Sequence, residues 1–135
     1  MYLQIGEKEF ELSTNLGTVK AIEGKLRMPL MNAFEKIGEA TVDEMIELLS
    51  FGLGGKKKAE DAGLIEAIEN DMDYATIWEV LQEYIVSMMY SGTPEQKEAK
   101  IAKSNFDEPQ KNAFRRMLGL QTKDSEVPPI STPES

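Results

Sequence analysis

Tyr74-Ala75-Thr76-Ile77-Trp78-Glu79-Val80-Leu81-Gln82-Glu83-Tyr84-Ile85-Val86-Ser87-Met88-Met89-Tyr90 decides the fold of this chain. Tyr74, Ile77, Trp78, Leu81, Ile85 and Met88 recur at spacings of three and four, the period of one helical face. Val80, Tyr84, Val86 and Met89 carry apolar character around most of the cylinder. A helix apolar on most sides sits centrally or at an interface. Asp73 is placed to cap it, and a helix run to Ser91 is about 27 Å long, enough to span a small domain. Met88 and Met89 project about 100° apart, so both are buried only if the helix is covered on two sides. The expectation is a rod with more apolar circumference than one protomer hides, leaving a patch for other chains.

Beyond the rod, Ser91-Gly92-Thr93-Pro94 stops one helix and starts the next. Gly92 suits the left-handed C-terminal position, Thr93 the N-cap and Pro94 the first helical residue, and Gln96 completes a capping box. Glu95 to Lys103 is largely polar and expected at the surface. Asp107 to Gly119 reads as a last short helix with Phe114, Met117 and Leu118 on one side. Arg115 and Arg116 near its end complement the helix dipole. From Gln121 little remains to bury, and Val127-Pro128-Pro129-Ile130-Ser131-Thr132-Pro133 predicts an extended or disordered tail. Lys123 against Asp124, Glu126 and Glu134 gives that tail a net −2, leaving −7 of the total −9 on the rest.

Before the rod, Tyr2-Leu3-Gln4-Ile5 and Glu9-Phe10-Glu11-Leu12 alternate in character across Gly6-Glu7-Lys8, the pattern of a β-hairpin. A lone hairpin is marginal in water, so its apolar face must rest on helices or on another subunit. Leu16, Val19, Ile22, Glu23 and Leu26 have helical spacing, with Thr14 or Asn15 as cap, against the weakening effect of Gly17 and Gly24. Pro29 breaks the chain; Leu30, Phe34 and Ile37 make a short second stripe that Gly38 ends. Thr41-Val42-Asp43-Glu44 fits a capping box over Met45, Ile46, Leu48 and Leu49. That helix is expected to stop near Gly52, and Gly52-Leu53-Gly54-Gly55-Lys56-Lys57-Lys58 reads as a flexible loop. Leu64, Ile65 and Ile68 mark a shorter helix before the rod.

Bulk composition bounds the function. The 135 residues suggest one domain with a single core. There is no histidine and no cysteine, which removes the side chain that titrates near neutral pH, the strongest common nucleophile and any disulfide framework. A charge of −9 repels phosphate backbones and anionic membrane surfaces. Neither nucleic acid nor membrane is expected as a partner. Glu7, Lys8 and Glu9 interrupt any N-terminal apolar run, so no signal peptide is read, and a cytoplasmic location is expected.

No motif for chemistry survives inspection. The glycine loop lacks the P-loop pattern: Ser50 stands where its first glycine belongs, and Lys57 follows Gly55-Lys56 in place of Ser or Thr. Lys57 also takes the place of the third glycine of the dinucleotide pattern. An EF-hand loop from Asp71 fails at Ala75, Thr76 and Gln82. Glu44 with Glu47 and Glu66 with Glu69 sit between apolar helical positions, where the solvent face belongs. A Ser–Lys dyad stays open on composition, with no local motif behind it. No catalytic residue, cofactor or metal is expected. Eight methionines, counting Met1, are adaptable side chains that serve as core fillers or as grips for varied apolar partners. Met28, Met31 and Met45 fit core stripes or their edges; Met88, Met89, Tyr90, Phe114 and Met117 are the candidates for a partner-binding surface.

Tyr2-Leu3-Gln4-Ile5-Gly6-Glu7-Lys8-Glu9-Phe10-Glu11-Leu12, followed by Leu16-Gly17-Thr18-Val19-Lys20-Ala21-Ile22-Glu23, resembles the opening of the tail assembly chaperones of long-tailed phages and prophages of Gram-positive hosts. The shared order is hairpin, helix start, acidic helical body and Pro/Ser-rich end. The resemblance implies a non-enzymatic role in virion morphogenesis. Such a protein coats the tape measure protein, keeps it soluble and helps recruit tail tube subunits. The resemblance also implies self-association. The expected fold is therefore mainly α with a small N-terminal β-hairpin (α+β), a helical domain over residues 1–120 with the hairpin near 2–12, and a flexible tail over 121–135. A small acidic adaptor using the same apolar surface on another protein is the alternative. A carboxylate- or Ser/Lys-based hydrolase or transferase is the enzymatic rival, and it requires a deep polar pocket.

Overall fold

In the computed structural model residues 1–122 are described, and they are mainly helical with one two-stranded antiparallel sheet. The tail expected from residue 121 lies outside the described residues from 123 onward. The strands are β1 (Tyr2–Ile5) and β2 (Lys8–Glu11), in the register Tyr2 to Glu11 and Leu3 to Phe10. Alternation works as expected: Leu3, Ile5, Phe10 and Leu12 are buried, while Tyr2, Gln4, Glu9 and Glu11 face water.

Asn15 caps α1 (Leu16–Leu26), its side-chain oxygen accepting from the Thr18 N–H at 2.9 Å. The Glu23 carboxylate accepts from the Leu30 N–H at 2.8 Å and so bridges the break at Pro29. A 3-10 turn over Leu30–Asn32 leads into α2 (Ala33–Ile37). The capping box of α3 (Val42–Ser50) is present in both directions, with Glu44 N–H to Thr41 Oγ1 at 3.2 Å and Thr41 N–H to Glu44 Oε1 at 2.8 Å. Met45, Ile46, Leu48 and Leu49 are buried beneath it.

The stretch Gly52–Lys58 is not a flexible loop. Phe51–Leu53 is a 3-10 turn, and the lysine run opens α4 (Lys56–Asp61). The reason is tertiary: the Ala59 N–H donates to the Gly55 carbonyl at 2.9 Å, and Ala59 is buried while the three lysines point outward. Gly52 lies where the chain passes closest to its neighbours, since a Cβ there would be 2.7 Å from Leu12 Cβ and 2.7 Å from Tyr84 Oη. The buried Tyr84 hydroxyl donates to the Ser13 carbonyl at 2.6 Å, and burial pushes the phenol above its ordinary pKa. That bond joins the end of the hairpin to the long helix.

α5 (Leu64–Asp71) and α6 (Tyr74–Met89) complete the first of two compact units, Met1–Met89. Its core draws on the hairpin, Val19 and Ile22 of α1, the apolar face of α3, Leu64 and Ile68 of α5, and Ile77, Leu81, Tyr84, Ile85 and Met88 of α6. Trp78, Val80 and Met89 pack half-buried against it. Much of the rod's apolar circumference thus packs into this core, with these three side chains left half-exposed. Only its first turn, at Tyr74, shows a large apolar side chain to water.

The second unit begins at Tyr90. The rod ends at Met89, short of the Ser91 expected; Gly92, at φ 114°, turns the chain ahead of α7 (Pro94–Lys103), which Thr93 and Gln96 cap reciprocally. Asp107 caps α8 (Glu108–Met117), accepting from the Gln110 N–H at 3.0 Å. Ile101, Phe114 and Tyr90 are buried, with Phe106 set edge-on to Phe114 at 4.9 Å between ring centroids.

Arg116 is exposed, as its place in the last helical turn suggests, but Arg115 is not. Arg115 is 1% exposed and forks onto Glu98, with Nε to Oε1 at 2.9 Å and a terminal nitrogen to Oε2 at 3.0 Å. Its other terminal nitrogen donates to Asn112 Oδ1 at 2.8 Å. The fork pins α7 to α8.

Candidate functional site

Three helices of the first unit converge on an apolar groove. Val42 and Ile46 come from one face of α3, Ile68 and Glu69 from α5, and Tyr74 and Ile77 from the start of α6, with Met72 and Asp73 between the last two. The groove holds about 230 Å³. Its floor is Ile46, Ile68 and Ile77, all buried, and its walls are Val42 at 42% and Tyr74 at 65% exposure. Each piece has a local cause. The Thr41 capping box starts α3 so that Val42 occupies its first turn, one helical turn before Ile46. The Asp73 side chain accepts from the Thr76 N–H at 2.8 Å, which starts α6 and places Tyr74 at the rim. Hydrogen bonds from the Thr76 side chain and N–H hold the Asp73 carboxyl below its ordinary pKa, and the bond to the Thr41 N–H does the same for Glu44.

Charge around the groove has one sign. No lysine or arginine occurs in residues 37–55 or 59–96. The three helices that build the groove carry Asp43, Glu44, Glu47, Glu66, Glu69, Asp71, Glu79 and Glu83 and no cation. Lys25 and Lys36 lie beside Glu44 and Leu48, on a different face of α3 from Val42 and Ile46, where Lys25 pairs with Glu47 at 3.2 Å. Isolated exposed apolar side chains are ordinary on protein surfaces; a contiguous apolar groove is the informative feature.

The five candidates for partner contact fall elsewhere. Met88 and Met89 close the rod, with Met88 buried in the core and Met89 half-buried against it. In the second unit Tyr90 and Phe114 are interior, their ring centroids 5.7 Å apart, and Met117 is half-buried. Met88, Tyr90 and Phe114 thus pack the interior and present no surface in this conformation. Their helical periodicity marked them as apolar, which core and interface positions share. The Tyr90 hydroxyl is buried with no hydrogen-bond partner among the described residues, a cost on the order of 1–3 kcal/mol. Of the methionines assigned to core stripes or their edges, Met45 is buried, Met28 half-buried and Met31 exposed.

Glu66 and Glu69 are exposed, and Lys57 pairs with Asp61 at 3.7 Å along α4. Half-burial raises the Glu83 carboxyl above its ordinary pKa. Among the described residues no three His, Cys, Asp or Glu side chains are grouped to hold a metal ion, and no helix is long and apolar enough to cross a membrane. A broader, open depression of about 700 Å³ in the second unit runs along Pro94, Glu98 and Ala99, but its far wall is Leu120–Thr122, where the described residues end.

Fold and groove define the class of this molecule as a mainly helical α+β chain with an apolar groove set in an acidic surface. No family model matches the chain, and neither does any curated protein or solved structure.

Proposed function

We propose that this chain is a non-enzymatic assembly chaperone of a long-tailed phage, which binds the tape measure protein, keeps it soluble and helps recruit tail tube subunits in the host cytoplasm. The observation that carries this reading is the apolar groove of α3, α5 and α6, built on helices that contain no cation. A reversible coat for a long amphipathic helix needs shallow apolar recesses for the client and an acidic exterior that keeps the loaded complex dispersed. The hairpin-then-helix order over residues 2–26 supports the resemblance drawn from Tyr2–Leu12 and Leu16–Glu23.

Co-expression tests it. The very long, coiled-coil-like product of a neighbouring gene is expected to move into the soluble fraction when made with this protein and to co-purify with it. If that product stays insoluble, the phage role falls and the adaptor reading takes its place.

A further inference from the structure

We infer that the groove between α3, α5 and α6 seats one aliphatic anchor of an amphipathic helix whose neighbouring positions carry lysine or arginine. The inference deepens the chaperone reading and rests on it for the helical form of the client. Size argues for a side chain as occupant. At about 230 Å³ the groove is smaller than small-molecule sites, which usually run about 300–1,000 Å³, and it has room for one large apolar side chain. Its floor of three isoleucines offers dispersion contacts and no hydrogen bond to orient a polar ligand.

Charge argues for the flanks. Glu69 and Asp73 line the groove itself, and Asp43 and Asp71 stand next in sequence to lining residues on the same helices or their ends. A helix with acids beside its anchor meets like charge at Glu69 and Asp73, whereas lysines or arginines meet opposite charge there. Val42 and Tyr74, the two exposed walls, are the residues an incoming anchor must touch first.

Two labelled helical peptides test this against the full chain by fluorescence anisotropy. Both carry leucine anchors at the same positions; one has lysines beside them, the other glutamates. The lysine peptide is expected to bind at least about tenfold tighter, with the gap narrowing as salt rises. Val42→Ser combined with Tyr74→Ala is expected to weaken the lysine peptide at least about tenfold with the far-ultraviolet circular dichroism unchanged, since both positions are exposed and the variant removes the apolar walls without adding charge. Glu69→Gln is expected to narrow the preference between the two peptides. Equal affinity for both peptides, binding untouched by the double variant, or no binding of either peptide overturns the inference. A dimer in sedimentation that the double variant dissolves, with neither peptide bound, assigns the groove to a second copy and also overturns it. The chaperone reading fails separately. If the lysine peptide binds as described but the client stays insoluble, the phage role falls and the groove assignment stands. If the double variant solubilises the client as well as the parent does, the reverse holds.

Discussion

Arg115 and Glu98 are unequal partners, and the inequality has a measurable result. The guanidinium is 1% exposed, whereas the Glu98 side chain is 31% exposed. Glu98→Ala strands a buried cation whose remaining contacts are Asn112 at 2.8 Å and Glu108 at 3.8 Å. Breaking a buried pair in that way costs about 3 kcal/mol or more. Arg115→Met leaves a carboxylate that can return to water and fills the vacated space with an apolar stem, so it is expected to cost less, about 1.5–3 kcal/mol. Urea unfolding of the two variants checks the order; a larger loss from Arg115→Met contradicts it. By sequence alone Arg115 and Arg116 are alike, two cations in the last turn that complement the helix dipole. In the fold Arg116 is exposed and Arg115 is buried. What turns Arg115 inward is a carboxylate on the preceding helix, 17 positions away, and local pattern carries no signal for that pairing. The same gap explains Met88, Tyr90 and Phe114, which are apolar at the right period yet face the interior.

At the level of helices, caps that titrate tie stability to pH. The Glu44 and Asp73 carboxyls are held below their ordinary values of 4.5 and 3.8, Glu44 chiefly by the Thr41 amide and Asp73 by the Thr76 side chain and then its amide. A carboxyl lowered in the folded state contributes stability that is complete above its unfolded value and is lost as pH falls through the folded one. Starts of α3 and α6 are therefore expected to weaken below about pH 4.5 and 3.8 respectively. Glu83 acts in the opposite sense, since half-burial raises its pKa and protonation on acidification favours the folded state. Asp73→Asn keeps a capping oxygen that does not titrate. It is expected to flatten the acid side of a Tm-against-pH curve with little change near neutrality; an unaltered acid limb contradicts that assignment. These caps were legible because each is written within four residues. So were the hairpin, the proline breaks and the turn at Gly92. α4 was not, because Gly-Gly-Lys-Lys-Lys looks like solvent loop until Ala59 is seen to dock in the core.

Taken whole, the molecule divides its stability unevenly. The first unit buries apolar faces from the hairpin and from its longer helices, while the second relies on a few aromatic and aliphatic side chains and the Arg115–Glu98 fork. Smaller units bury a smaller share of their surface and are correspondingly marginal. Amides of α7 and α8 are expected to exchange hydrogen faster than those of α3 and α6, as peptide-resolved exchange reads out; equal protection contradicts it. Sequence periodicity puts the end of the long helix within a few residues of Met89, but spacing shows where a helix ends and not which side chains share a core. The groove escaped for a related reason: Val42, Ile68 and Tyr74 belong to three separate stripes, and only folding makes them neighbours. The run of residues 59–96 without a basic side chain has a practical corollary. Trypsin has nowhere to cut within it, and amine-directed cross-linkers have nothing to grasp, so a protein docked over Tyr74 leaves no mark with either. Its footprint becomes visible only to reagents that couple through carboxylates.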